Sequence, residues 1–232
     1  MKYKEDLGFA IIESNKKISK SLKNIYTRAF NLNRKLFKKS PEKKFKIFIC
    51  NNNREWKKKC RYYYLREGSG TVLRNGNLVI KDIDFLNKTK KDFQVIVEHE
   101  MNHVFYILRY HLTKPIWIYE GLAYTIAGFS YPRQELVKRI NRNPVVLNYR
   151  YLKRDFSNIN KIHFMYSIWR EFILYLTNNK PYLLISFMDE YIKNPVKSNY
   201  HRLFRKYFKK SEKIIFREFL LSFKHLNLSG FL

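Results

Sequence analysis

Apolar residues recur at helical spacing along the first forty residues. The intervals of three, four and seven connect Ile11, Ile18, Leu22, Ile25, Ala29, Leu32 and Leu36. Such a stripe is typical of an amphipathic helix that packs one face against a core. Ser40 and Pro41 interrupt the pattern. It predicts one long amphipathic helix within residues 1–40.

The pattern then changes to one typical of strands. Residues 45–50 read Phe-Lys-Ile-Phe-Ile-Cys, a β-branched and aromatic run that predicts a mostly buried strand. A short helix is expected at 54–60. Residues 71–74 and 78–80 flank Asn75-Gly76, a pair that favours a two-residue hairpin turn because both turn positions need positive φ.

Helical patterns dominate after Thr89. The predicted segments are 92–110, 116–129, 133–140, 162–178, 182–193, 200–208 and 212–223, with prolines at or near several ends. The expected fold class is therefore α+β, with a small mixed sheet and hairpin in the N-terminal half and a helical C-terminal half. We expect a single unit comprising the helix at 1–40, a sheet with the site helices at 41–128, and a helical subdomain at 129–232.

Length and composition restrict the class of protein. The chain has 232 residues, 45% of them hydrophobic, enough for a sizeable core. We find no secretory signal pattern and no apolar run of membrane-spanning length. The expectation is a soluble, cytoplasmic protein. Cys50 and Cys60 form neither a metal-type pair nor a disulfide framework, so free thiols are expected.

The formal net charge of +28 admits two explanations. Strongly basic proteins often bind nucleic acid, anionic membranes or acidic substrates. Abundant Lys, Asn, Ile, Phe and Tyr with scarce Gly, Pro and Ala are also the bias expected of an AT-rich genome. Because the lysines are spread along the chain rather than gathered in one block, a nucleic-acid partner is not favoured.

A His-Glu-x-x-His pattern lies within the helix predicted at 92–110. Residues four apart on a helix share one face, so the imidazoles of His99 and His103 can reach one metal ion. Glu100 projects beside them and is placed to take a proton from a metal-bound water. The alternative is a surface helix that carries two solvated histidines.

A second segment adds a carboxylate. Residues 115–124 read Pro-Ile-Trp-Ile-Tyr-Glu-Gly-Leu-Ala-Tyr, and on a helix Glu120 shares its face with apolar and aromatic residues. A buried, unpaired charge costs several kcal/mol, so Glu120 needs a counter-ion, a metal or a proton. In the alternative, Glu120 interacts with the dipole at the N-terminus of its own helix.

Two imidazoles and one carboxylate form the ligand set of a catalytic zinc site. They leave one tetrahedral position open, and nitrogen and oxygen ligands suit Zn²⁺, although cobalt or manganese can substitute. We therefore expect a Zn²⁺ cofactor held by His99, His103 and Glu120 at the junction of the two halves. Glu100 is the expected general base for hydrolysis of a peptide bond by a metal-activated water.

These motifs resemble the gluzincin metallopeptidases. Residues 115–123 are similar to the Trp-x-x-Glu-Gly-x-Ala signature of the aminopeptidase-like branch and of its small relatives, the minigluzincins. The resemblance implies the ligands and base already named. It also implies a tyrosine that donates to the tetrahedral intermediate, nine residues before a Tyr-Leu pair; Tyr166 stands nine before Tyr175-Leu176. His163 is the competing donor, and in the alternative Tyr166 is a core residue.

The resemblance further implies an edge strand that binds substrate backbone. The segment with Gly70, Thr71 and Val72 would serve, as would residues 78–80. Two departures from the family pattern stand out. Only sixteen residues separate His103 from Glu120, slightly fewer than usual, and Tyr124 stands where the family often has an acid or amide that orients a ligand histidine.

The sequence thus favours a zinc metallopeptidase acting on a peptide or protein substrate. The alternative is a gluzincin-like fold that serves as a non-catalytic basic binding module for nucleic acid or anionic surfaces. The oligomeric state does not follow from the sequence.

Overall fold

The computed structural model of the chain describes residues 1–61, 68–142 and 159–225 and has the expected α+β fold. The strands are β1 Tyr3–Asp6, β2 Ala10–Ser14, β3 Phe45–Cys50, β4 Gly70–Val72 and β5 Leu78–Lys81. The helices are α1 Lys20–Phe37, α2 Asn53–Cys60, α3 Ile83–Leu86, α4 Lys90–Tyr110, α5 Ile116–Ala127, α6 Arg133–Arg142, α7 Ile159–Leu176, α8 Tyr182–Tyr191, α9 Lys197–Phe208 and α10 Glu212–His225. The chain forms two compact units, Met1–Thr113 with Ile126–Gly128, and Lys114–Thr125 with Phe129–Leu232.

The first unit contains a mixed five-stranded sheet in the order β1-β2-β3-β5-β4. β2, β3 and β5 run parallel, whereas β1 and β4 pair antiparallel at the two sides. The parallel strands are buried, and Ile47, Leu78 and Ile80 are fully inaccessible. Parallel strands need crossover connections, and α1 supplies the one between β2 and β3.

The N-terminal helix is shorter than predicted. Helix α1 begins at Lys20, where the side chain of Ser19 accepts a hydrogen bond from the backbone N–H of Leu22. Residues before it form β1 and β2, so the prediction that Ile11 belongs to the helix is wrong. Ile11 lies in β2, opposite Lys46 of β3. Its seven-residue spacing from Ile18 fits a helix, but the adjacent β-branched pair Ile11-Ile12 is equally suited to a strand.

The hairpin is confirmed, but its predicted two-residue turn is wrong. The backbone N–H of Leu73 donates to the carbonyl of Asn77 (2.9 Å), and that of Gly76 donates to the carbonyl of Leu73 (2.8 Å). The loop therefore has three residues, 74–76, of which only Gly76 has a positive φ, at +80°. A three-residue hairpin loop needs one left-handed position, which the glycine fills.

The hairpin also determines which strand is an edge. β5 lies between β3 and β4, so residues 78–80 are not an edge, whereas β4 is an edge among the described strands. Ser69 accepts a hydrogen bond from Lys81, and Leu73 donates one to Asn77. Because bonding direction alternates along an antiparallel strand, the backbone groups of Gly70 and Val72 point away from β5.

The second unit is helical, as predicted. Residues 117–124 of α5 are all buried, so this helix has no solvent-exposed face along these two turns. α5 approaches α7 closely at Gly121, where an added Cβ would lie 2.6 Å from Cδ1 of Ile173 and 3.1 Å from the carbonyl oxygen of Trp169. Phe172 of α7 packs against Phe216 and Phe219 of α10, with ring centroids 5.0 and 5.4 Å apart.

Two further expectations concern membranes and cysteines. None of the described helices is both long and apolar enough to cross a membrane. Cys50 and Cys60 are free and buried, and both belong to an apolar cluster with Phe48, Trp56 and Val79.

Candidate metal centre

Helix α4 presents the two histidines of the His-Glu-x-x-His pattern on one face. The helix begins after Thr89, whose hydroxyl accepts from the backbone N–H of Asp92 at 3.1 Å and donates to its carboxylate at 2.8 Å. One turn apart in the middle of the helix, the Nε2 atoms of His99 and His103 lie 3.0 Å from each other. Both imidazoles therefore direct the same ring nitrogen to the same point.

Burial distinguishes this pair from solvated surface histidines. The side chain of His103 is 5% exposed, and His99 is only partly exposed. The alternative of two solvated histidines on a surface helix is therefore wrong for His103. A buried imidazole needs a polar partner, which a metal ion or a hydrogen bond can supply.

The opposite face of α4 is fixed against α1. Phe105 packs between Phe30 and Phe37, with ring centroids 5.2 and 5.5 Å away. At the level of the histidines, the amide of the fully buried Asn102 donates to the side-chain oxygen of Asn33 at 2.8 Å. Asn33 in turn donates to the carbonyl of Ala29 at 3.0 Å. This buried amide pair fixes the rotation of α4, and with it the direction of the histidines.

Glu120 lies in α5 and is 8% exposed. Its helical neighbours Trp117, Ala123, Tyr124 and Ala127 are buried as well, so the apolar surroundings predicted for the carboxylate are present. The first turn of α5 contains no acidic residue. The dipole alternative fails for this reason, because a helix dipole acts mainly within the first turn.

All three predicted ligands belong to one group of side chains that could hold a metal ion. One ligand atom from each of His99, His103 and Glu120 lies within 4.8 Å of the other two. Within residues 1–61, 68–142 and 159–225, no other set of three His, Cys, Asp or Glu side chains has such an arrangement. The three residues are called the metal triad below.

Glu100, the predicted base, follows His99 directly and is 8% exposed. Its carboxylate lies against Gly70 of β4. A Cβ added to Gly70 would be 2.6 Å from both Cγ and Cδ of Glu100 and 2.8 Å from its Oε1. The structure thus places the predicted base beside the edge strand that was predicted to bind substrate.

Tyr166, the predicted hydrogen-bond donor, belongs to an aromatic group on α5 and α7. Its ring packs edge to face with that of Tyr124, at 5.2 Å, and stacks on that of Trp169, at 5.1 Å. The hydroxyl of Tyr124 lies 2.5 Å from Nδ1 of His163. Burial raises the pKa of Tyr124, with a further rise from the charge of Glu120, and burial lowers the pKa of His163.

The Tyr124–His163 pair is the element that sequence reasoning missed. The family pattern presents Tyr124 as a replacement for the acid or amide that orients a ligand histidine, whereas in the structure its phenol contacts His163. The available signal was positional. Tyr124 lies one turn after Glu120, and His163 lies one turn before Tyr166, so both carry polar groups near predicted site residues.

Comparison with known proteins adds no family assignment: no protein-family model matches the chain, and no curated protein matches it either. The gluzincin resemblance therefore rests on the motifs themselves.

Proposed function

We propose that this chain is a zinc-dependent peptidase whose active site is the metal triad with Glu100 as general base. The observation that carries the proposal is the convergence of two imidazoles and one buried carboxylate within 4.8 Å. A second buried carboxylate, that of Glu100, is adjacent in sequence to one of those imidazoles.

The donor set fits zinc. At Zn–N distances of about 2.0–2.1 Å, two nitrogens of a tetrahedral site lie roughly 3.3 Å apart. The 3.0 Å between the Nε2 atoms of His99 and His103 is close to that spacing. A metal ion held by the two imidazoles would place a positive charge beside the buried carboxylate of Glu120. Nitrogen and oxygen ligands without thiolate are common for catalytic zinc.

The chemistry divides between the metal and Glu100. When bound, zinc supplies a Lewis acid that polarises a carbonyl and makes water more acidic. Glu100 is the group that accepts the proton of the attacking water and returns it to the leaving amine. Its position beside the edge strand supports this role, because a peptide held along β4 would bring its backbone close to the Glu100 carboxylate.

Peptide substrate would be held by main-chain pairing. The backbone groups of Gly70 and Val72 point away from β5 and are available for an added strand, whereas those of Thr71 are directed to β5. This mode of binding requires little of the substrate side chains, and it favours an extended peptide.

Two groups are candidates for the donor that stabilises the oxyanion, Tyr166 and His163. Either could donate a hydrogen bond to negative charge that develops on the carbonyl oxygen. Replacing each residue in turn by phenylalanine shows which of the two is the donor. The donor is the residue whose loss lowers kcat by about 100-fold with little effect on KM.

Glu100→Gln tests the proposed reaction. Glutamine preserves the shape of the side chain but cannot accept the proton, so we expect unchanged metal content and loss of peptide hydrolysis. Glu98→Gln is the matched control, because Glu98 is a buried glutamate two residues away on the same helix that hydrogen-bonds to Arg28 and Gln94. Equal activity in Glu100→Gln and wild type would refute the role of Glu100.

A second candidate function is binding of nucleic acid by the basic surface. The net charge is +28, and six of the 19 acidic side chains are buried within the described part of the chain: Glu13, Asp82, Glu98, Glu100, Glu120 and Glu212. The exposed charged side chains are therefore predominantly positive. Nucleic-acid affinity should fall by about 10³-fold or more between 50 and 200 mM salt. Absent or salt-insensitive binding would remove this candidate.

A further inference from the structure

Strand β4 and helix α4 meet at one very close contact. No side chain at residue 70 could coexist with Glu100 in its present position. Carbon atoms in ordinary contact lie about 3.5–4.0 Å apart. A Cβ on Gly70 would approach both Cγ and Cδ of Glu100 to 2.6 Å. The Glu100 side chain thus occupies the volume that any other residue at position 70 would fill.

Backbone conformation does not explain this glycine. The described glycines with positive φ are Gly8, Gly76 and Gly128, and Gly70 is not among them. It lies in regular antiparallel pairing, opposite Ile80. Glycine weakens the interior of a strand unless another group must approach closely. The close group is the carboxylate of Glu100.

Glu100 has little room to avoid a methyl group. It is 8% exposed, and α4 is held on its other side by the buried Asn102–Asn33 pair and the packing of Phe105. A new methyl group at residue 70 must therefore displace the carboxylate or strain the contact between β4 and α4.

We infer that Gly70 is a positioning residue for Glu100: the missing side chain at residue 70 defines where the carboxylate lies. The consequence for catalysis rests on the proposed function of Glu100, whereas the contact itself does not. Gly70 thus has two separate roles. Its backbone groups would pair with the substrate, and its lack of a Cβ leaves room for the side chain of Glu100.

Thermal unfolding of the full-length protein tests the contact without reference to activity. Gly70→Ala is compared in wild type and in Glu100→Ala, which lacks the three atoms that the new methyl group would meet. We expect the melting temperature to fall by roughly 3–8 °C in wild type. In Glu100→Ala it should stay unchanged or rise, because alanine restricts the unfolded chain more than glycine does. Glu98→Ala is the control background, in which the fall should match that in wild type.

Peptide hydrolysis tests the positioning role. Alanine keeps the N–H and C=O of residue 70, so we expect Gly70→Ala to lower kcat by about 10- to 100-fold with KM nearly unchanged and metal content retained. Equal melting shifts in the wild-type and Glu100→Ala backgrounds would overturn the inference. If wild type hydrolyses peptides, a Gly70→Ala variant with the same kcat as wild type would also overturn it. If wild type hydrolyses nothing, the proposed function fails, and the melting shifts alone decide whether Gly70 positions Glu100.

Discussion

The hydroxyl of Tyr124 lies 2.5 Å from Nδ1 of His163, and burial favours the neutral form of both groups. The pKa of the phenol is raised and that of the imidazole is lowered, so both groups are neutral near pH 7 and share one hydrogen bond, in which we expect the phenol to donate and Nδ1 to accept. The remaining ring proton of His163 then lies on Nε2. Tyr124 thereby selects the tautomer in which His163 can act as a donor through Nε2.

Tyr124→Phe should lower both stability and activity. The variant leaves Nδ1 of His163 without its hydrogen-bond partner. If His163 is the oxyanion donor, we expect a loss of about 10- to 100-fold in activity, the range known for hydrogen bonds that support metal ligands. Because Tyr124 acts through His163, the kcat/KM losses in Tyr124→Phe and His163→Phe should not add in the double variant. Tyr3→Phe, at an exposed tyrosine, is the control. Additive losses would contradict a coupled pair.

Stability should depend on pH through His163. Its pKa in the folded protein is lowered by burial, so the unfolded chain binds a proton more readily, with an ordinary histidine pKa of about 6.5. The neutral form therefore contributes stability above about pH 6.5, and this contribution is lost as the pH falls toward the folded value. Urea unfolding of wild type and His163→Phe between pH 8 and pH 5 measures the difference. A difference that is constant over this range would contradict the prediction.

Gly121→Ala should destabilise the packing of α5 on α7. The added methyl group would lie 2.6 Å from Cδ1 of Ile173 and 3.1 Å from the backbone of Trp169. Overpacking of this kind costs about 1–3 kcal/mol. Ile173→Val removes Cδ1, so it should recover part of the loss in the double variant but not the part caused by the Trp169 backbone. Chemical denaturation measures both effects, and a fully stable Gly121→Ala protein would show that the close approach is absent.

The two cysteines should be unreactive in the native protein. Burial raises the pKa of Cys50 and of Cys60 to about 12, so almost no thiolate exists at pH 8. We expect a chromogenic disulfide reagent to label neither thiol rapidly in native protein and both in denaturant. Rapid labelling of either thiol before unfolding would contradict their placement in the core.

The sequence predicted those elements whose signals are local. The strand at 45–50 and the helix containing His99 and His103 were foreseen because each has one consistent period and clear ends. The segment around Ile11 was misassigned because its spacing fits a helix, whereas pairing with β1 and β3 determines its structure. The spacing of hydrophobic residues within one segment does not show which other strands that segment pairs with.

The proximity of His99, His103 and Glu120 was likewise foreseen from spacing and from a carboxylate in apolar surroundings, and their role as metal ligands stays a prediction. The contacts of Gly70 with Glu100 and of Tyr124 with His163 were not foreseen, although their residues were named. Each contact joins elements distant in sequence, and its distance depends on how the intervening chain packs. Residue type alone could indicate neither how closely the Glu100 side chain lies against Gly70 nor the 2.5 Å hydrogen bond.

The zinc content of the purified protein decides whether His99, His103 and Glu120 hold a metal ion. Elemental analysis of wild type, Glu100→Gln, His103→Ala and Glu120→Ala, each purified without chelator and dialysed against metal-free buffer, compares the proposed ligands with the proposed base. We predict about one zinc per chain in wild type and in Glu100→Gln, and a loss of at least 10-fold in metal affinity in the two ligand variants. Wild-type protein that contains no metal and takes up none from added zinc would contradict the proposed metal site.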